Sequence, residues 1–276
     1  MADKSKVKSI MQKVNGLNFY CELRGSGPTI ALVPSGEGDC GSFAKVADIL
    51  DEEFTVFTLD MRYMSRSERP KKLEPITAEV LASDVAGLIK AFDLAPASVY
   101  GCSSGGQCAL SMGVDHPEVC RNLMIHEAAL LNDAPPRAQE KFRKGIDMAV
   151  KMTGSKNIFG GAGWISVVGD SQAWAALGPE YHERISKNGE VWIDYMLDHV
   201  SQRMYSAQEL SKMPQMVLSV GFNSAAWLAF ANLQVASRAN TEVVWLPSLH
   251  YPQVTIPDLL AQHIRKHANK HIRSAP

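Results

Sequence analysis

Residues 98–107 read Ser98-Val99-Tyr100-Gly101-Cys102-Ser103-Ser104-Gly105-Gly106-Gln107. A short apolar run enters Gly101, and helical spacing resumes from Gln107 to Val114. A strand therefore turns sharply into a helix with a hydroxyl residue at the corner. This is the G-x-S-x-G arrangement, where small residues two before and two after the serine relieve backbone crowding. A frame centred on Cys102 puts Tyr100 where a small side chain is needed. A frame centred on Ser104 relies on Cys102 and Gly106. Only Ser103 has glycine on both sides, at Gly101 and Gly105. The competing reading is a glycine-rich turn that cradles an anion. A phosphate loop is disfavoured, since no G-x-x-x-x-G-K-[ST] occurs.

Working outward, strands and helices alternate. Leu17 to Leu23 reads as an edge strand, and Thr29 to Val33 as a strand buried on both faces. A helix is expected over Phe43–Leu50, a strand over Phe54–Leu59, a helix over Thr77–Phe92 and a strand over Asn122–Ile125. The alternation resumes with a strand at Met216–Val220, a helix from about Ser224 to Ala236, a strand at Glu242–Leu246 and a helix at Pro257–His267. The pattern predicts an α/β fold with a mostly parallel central sheet flanked by helices. Between the two blocks, Asp133 to about Lys212 carries helical stretches such as Pro136–Met152 and Ala173–Ile185, with no clear strand. Residues 1–132 and 213–276 are thus expected to form the core, and 133–212 a helical cap. Ligands bind at the carboxyl ends of such strands, where the cap would sit.

A serine hydroxyl needs a base to take its proton. In this fold class the order is serine, acid, histidine. Among eight histidines, His250 alone directly follows the last strand. His182 and His199 fall in the cap segment. His263, His267 and His271 repeat every four residues and read as a solvated helix face, since no carboxylate or cysteine joins them to make a metal site. The penultimate strand ends in Val220-Gly221-Phe222-Asn223-Ser224, without a carboxylate. Glu127, which ends the preceding strand, is therefore the candidate acid to orient His250. Strand alternation puts His126 on the opposite face, as a structural residue. The oxyanion donors are expected at the backbone N–H of Ser104 and, in the loop after Val33, of Gly36. Asp60 reads as the anchor of a structural turn with Arg62 and Ser65.

The 276 residues are 46% apolar with a formal net charge of -1. No basic stripe suggests nucleic acid, and no apolar run approaches the roughly 20 residues of a membrane span. The start, Met1-Ala2-Asp3-Lys4-Ser5-Lys6, lacks the apolar core of a signal peptide. Five cysteines without C-x-x-C spacing point to a reducing compartment, with a cytoplasmic location expected.

Several segments together resemble the fungal zearalenone (resorcylic acid lactone) hydrolases of the α/β-hydrolase fold. They are Val33-Pro34-Ser35-Gly36, Leu59-Asp60-Met61 with Met64-Ser65-Arg66-Ser67, Gly101–Gly105, His126-Glu127, Ala173–Gly178, Val191-Trp192 and His250-Tyr251-Pro252. The resemblance runs from about residue 15 to the last helix. It implies a cofactor-free, metal-free opening of a macrocyclic ester by a Ser103–His250–Glu127 triad, with Gly36 and Ser104 as oxyanion donors. The opened acid then loses carbon dioxide. It further implies Trp192 as a substrate contact, with Ser35, Leu249 and Tyr251 beside it. The implied partner is a small-molecule lactone, with no nucleic acid and no membrane, for a monomer or homodimer. Two departures stand out: more familiar members carry Asp at Ser35, and the segments around Trp192 differ. A general carboxylesterase, a hydrolase of other lactones, or a receptor-like binding protein would carry the same machinery. Epoxide hydrolases and haloalkane dehalogenases are disfavoured because they place Asp at the elbow.

Overall fold

A computed structural model describes residues 7–272, so the charged stretch Met1–Lys6 lies outside the described residues. The strands are β1 (Lys8–Val14), β2 (Leu17–Arg24), β3 (Thr29–Val33), β4 (Thr55–Leu59), β5 (Ala97–Cys102), β6 (Cys120–His126), β7 (Met216–Gly221) and β8 (Val243–Leu246). They form one sheet in the order β1-β2-β4-β3-β5-β6-β7-β8. β2 runs antiparallel to both β1 and β4, and every other pair is parallel. The central strand β3 is buried at all five positions, which explains its unbroken apolar run.

Helices α1 (Ala44–Leu50), α2 (Ala78–Ala91) and α3 (Ser104–Asp115) alternate with the first strands. Between β6 and β7 lie α4 (Pro136–Thr153), α5 (Gly161–Val167), α6 (Ser171–Ala176), α7 (Pro179–Ser186), α8 (Asn188–Val191), a π-helical turn (Trp192–Met196), α9 (Leu197–Val200) and α10 (Ala207–Leu210). The chain closes with α11 (Ala226–Ala239), α12 (Pro252–Thr255) and α13 (Pro257–Ile272). One sheet face packs on α2, α3 and α11 through residues such as Leu81, Val85, Leu110 and Val235. The other packs on α1 and α13 through Val46, Leu50, Leu260 and Ile264. Each element buries one stripe, so the sheet is covered on both sides.

Four expectations change. The edge strand is β1, not Leu17–Leu23, which becomes the second strand in. β1 is exposed or half-exposed along its length, so it has no apolar face to announce it. The expected single helix over Ala173–Ile185 is two, α6 and α7, broken at Gly178-Pro179, with proline at the first helical position of α7. The histidine row of α13 is not a solvated face. His263 and His267 are 8% and 6% exposed and their rings lie 4.7 Å apart. Burial pushes the His263 imidazole down to about 3, which keeps it neutral.

Asp60 does anchor a turn, but with other partners. Its carboxylate accepts Arg66 Nε–H at 2.7 Å and the Cys40 N–H at 2.9 Å. Arg62 pairs instead with Asp84 at 2.5 Å, and Ser65 N–H donates to Asn188 Oδ1 at 2.9 Å. The turn after β4 is thereby tied to α8, a link between sheet and helical segment. Among the described residues, no helix is long and apolar enough to cross a membrane.

Candidate active site

The elbow follows from the crowding at residues 101–106. Ser103 sits between β5 and α3 at φ 55 and ψ -117, a strained backbone for a non-glycine residue. A Cβ on Gly101 would collide with the Gly105 carbonyl, and one on Gly105 with the backbone of Pro34 and Val33. Glycine is required at both positions, so the turn selects Ser103. Two backbone bonds fix it: Ser103 N–H donates to the His126 carbonyl, and Ala129 N–H donates to the Ser103 carbonyl, each at 3.0 Å. Cys102 is fully buried beneath, with Sγ 3.4 Å from the His250 carbonyl. Burial raises its thiol well above the ordinary range, so this sulfur is neither accessible nor ionised.

His250 leaves the end of β8 and meets Glu127 at the end of β6. Its Nδ1 lies 2.6 Å from Glu127 Oε2. The other carboxylate oxygen accepts the Gly221 N–H at 2.8 Å. Burial works against a charged Glu127. The His250 hydrogen bond, the two nearby imidazole rings and the Gly221 N–H outweigh it and hold the carboxyl below its usual value. Gly221 lies on β7, the strand that lacks an acid. It supplies a backbone donor to the carboxylate reaching across from β6.

The expected separation of His126 from Glu127 does not occur. Glu127 leaves the strand at φ 42, which breaks the alternation. His126 Nε2 lies 3.8 Å from Glu127 Oε2, while its Nδ1 meets Ser219 Oγ at 3.0 Å. Burial pushes His126 down to about 4, so it stands beside the carboxylate as a neutral ring. The turn beyond Glu127 is clamped by Asn232 of α11. Its Oδ1 accepts the Ala128 N–H at 2.9 Å and its Nδ2 donates to the Ala128 carbonyl at 3.1 Å. A lone Asn within a helical stretch carried no sequence signal for this role.

A cavity of about 280 Å³ opens over the elbow. Ser35, Gly36, Ser103, Ser104, Trp192, Leu249, His250 and Tyr251 all line it, so the structure gathers every sequence-predicted site residue except Glu127, which stands behind His250. Its apolar walls include Leu131, Phe142, Phe159, Trp227 and Leu228; Asn223, Ser224 and Ser201 add polar atoms. Trp192 begins the π-helical turn, a local rearrangement frequent at functional sites. A Cβ on Gly36 would collide with its indole Nε1, so Gly36 and Trp192 fit only as a pair.

Sequence reading missed Glu37. Its side chain is fully buried. Tyr251 Oη donates to Oε2 at 2.7 Å, and Tyr181 Oη and Ser42 Oγ donate to Oε1 at 3.2 and 3.3 Å. Burial raises this carboxyl from its ordinary value, against the pull of those hydroxyls. Tyr251 Oη also lies 2.8 Å from Ser35 Oγ, which accepts the Gly36 N–H at 2.7 Å. Tyr251 thus lines the cavity with its ring while its hydroxyl is tied to the loop after β3. The one available signal was a carboxylate flanked by two glycines in a loop otherwise read for its backbone.

A family model described as the alpha/beta hydrolase fold matches residues 28–150. A zearalenone hydrolase of Bionectria ochroleuca is 30% identical over 97% of this chain and all of that protein. A zearalenone hydrolase of Cladophialophora bantiana is 31% identical over 97% of this chain and 98% of that one. Among solved structures, a thermophilic esterase from Thermogutta terrifontis superposes with a TM-score of 0.73 at 20% identity, covering 96% of this chain and 99% of that one. That last likeness speaks to the fold alone.

Proposed function

Because the chain belongs to the zearalenone hydrolase family of α/β-hydrolases, which makes it an ester or lactone hydrolase, we propose that it opens the macrocyclic ester of a resorcylic acid lactone such as zearalenone through an acyl-enzyme on Ser103. The observation that carries this reading is the 2.6 Å Glu127–His250 contact beside a cavity that Ser103 and His250 share.

In the proposed reaction, His250 holds its Nδ1–H on Glu127, leaving Nε2 to take the Ser103 proton. Ser103 Oγ bonds to the lactone carbonyl carbon, and the oxygen gathers charge facing the N–H groups of Gly36 and Ser104. The tetrahedral species collapses with rupture of the ring C–O bond. The departing alkoxide takes the proton from His250. The same imidazole then deprotonates a water that attacks the acyl ester. Its collapse returns the proton to Ser103 and frees the carboxylic acid. No cofactor or metal enters these steps. The opened acid, with one phenol ortho and one para to its carboxyl, then loses carbon dioxide.

The helical stretch 133–212 serves as the cap in this reading. It contributes Phe142, Phe159, Trp192, Leu197 and Val200 to the cavity wall. The volume lies near the lower end of the roughly 300–1,000 Å³ of small-molecule sites, which suits one compact macrocycle against apolar walls. All five cysteines are free and buried, which favours a reducing compartment such as the cytoplasm.

The test is incubation with zearalenone, following products by mass. The expected first product is the ring-opened acid, heavier than the substrate by one water, followed by its decarboxylated form. An unchanged lactone alongside rapid cleavage of simple aryl esters would move the assignment to a general carboxylesterase.

A further inference from the structure

The proposed reaction makes no use of the buried carboxyl of Glu37, although it is three hydrogen bonds from the oxyanion donor Gly36. We propose that Glu37, acting through Tyr251, aims the hydroxyl of Ser35, and that Ser35 O–H is a third oxyanion donor when Glu37 is neutral. This inference rests on the hydrolase reading above.

Glu37 Oε2, Tyr251 Oη, Ser35 Oγ and Gly36 N follow one another at 2.7, 2.8 and 2.7 Å. Tyr251 and Ser35 each own a single hydroxyl proton. When Glu37 is charged it accepts the Tyr251 proton. Ser35 must then donate to Tyr251 Oη, and its oxygen is left as an acceptor that competes for the Gly36 N–H. When Glu37 is neutral the direction reverses. Its O–H donates to Tyr251 Oη, and Tyr251 donates to Ser35 Oγ. The Ser35 proton is released toward the cavity that Ser35 lines with Gly36, Ser103 and Ser104. A donor aimed where charge develops lowers the barrier, whereas a competing acceptor at the same place raises it.

The hydroxyl partners of Glu37 can serve either protonation state, since each can donate or accept. No cation touches its oxygens among the described residues; its partners are the hydroxyls of Tyr251, Tyr181 and Ser42. Burial is what raises the group. Among the described residues, the other ionisable groups facing this region are Tyr181, Tyr251, Cys102, Asp39, Asp170 and His250, whose ring lies 5.5 Å from that of Tyr251. Burial raises both tyrosines and Cys102 well above the working range. Asp39 is paired with Arg184 at 2.7 Å and lies 3.5 Å from Arg66. Asp170 caps α6 near His250 and Tyr251 and is likewise raised by burial. Glu37 itself therefore has to be altered to separate its titration from that of Asp170.

The test is kcat for phenyl acetate hydrolysis from about pH 5 to about pH 9, on the wild type, Glu37→Gln, Glu37→Leu and Tyr251→Phe. The wild-type kcat is expected to fall as Glu37 ionises. Glu37→Gln keeps a permanent N–H toward Tyr251, so the falling limb disappears. Glu37→Leu cannot set either direction, and kcat drops roughly tenfold or more at every pH. Tyr251→Phe cuts the chain and also removes the falling limb. A wild type without a falling limb, or a Glu37→Gln profile that keeps it, overturns the proposal. A Glu37→Leu protein that fails to fold leaves the other two variants to decide. Ser103→Ala is run beside them: activity retained there defeats the hydrolase reading itself, whereas a dead Ser103→Ala with an unaltered Glu37→Gln limb defeats only this inference.

Discussion

Ser103→Ala is expected to lower kcat on the order of 10⁶-fold, with lactone affinity and thermal midpoint within error of the wild type. The magnitude follows from what the substitution removes and what it leaves. The elbow backbone is held by glycine at 101 and 105 and by the hydrogen bonds of Ser103 N–H and C=O, none of which involves the hydroxyl. Alanine thus enters without disturbing the turn, and the cavity keeps its shape. The acyl-enzyme route is lost outright, because no other nucleophile is at hand. Cys102 is buried and un-ionised, and Ser104, although it lines the cavity, belongs to the first turn of α3 rather than to the elbow. Residual hydrolysis above the spontaneous rate is still expected, since the oxyanion donors and the binding walls survive. Steady-state rates with a binding measurement on the same lactone check this. Activity within a hundredfold of the wild type would mean that another group attacks.

Glu127→Gln is expected to cost about 10⁴ in kcat, although it changes only one atom's chemistry. The carboxylate stands between two donors, Gly221 N–H at 2.8 Å and His250 Nδ1 at 2.6 Å. A glutamine amide has a single acceptor oxygen. The Gly221 N–H is fixed in β7, so the oxygen must serve it, and the NH₂ group then faces His250. That forces the imidazole into the tautomer with its proton on Nε2, which cannot accept one from Ser103. Loss of the negative charge also withdraws stabilisation from the imidazolium formed during attack. The comparison of kcat for the two proteins at matched pH is the check. A fall of less than tenfold would show that a different acid orients His250.

The site was legible where chemistry and backbone shared one signal. Gly101 and Gly105 marked the elbow because a Cβ cannot exist at either, and Val33 and Leu246 ended strands where apolar runs stopped. The missing carboxylate after Val220 pointed back to Glu127. The remaining features depend on long-range packing. β1 has no buried face, so periodicity could not find it. His263 and His267 looked solvated because helical spacing alone does not say which side meets the sheet. His126 joined the acid's surroundings because Glu127 adopts a positive φ, and that follows from the turn beyond it, clamped by Asn232. Glu37 was invisible because its partners, Tyr181 and Tyr251, lie 144 and 214 residues away.

The most direct test of the central claim is a rapid-quench experiment with excess lactone, reading the intact protein and its peptides by mass. An acyl-enzyme on Ser103 predicts a transient adduct equal in mass to the whole lactone, because a lactone loses no fragment on acylation. That adduct maps to the peptide bearing Ser103 and is absent from Ser103→Ala. An adduct on any other residue, or steady turnover with no covalent species under conditions that slow deacylation, would contradict it.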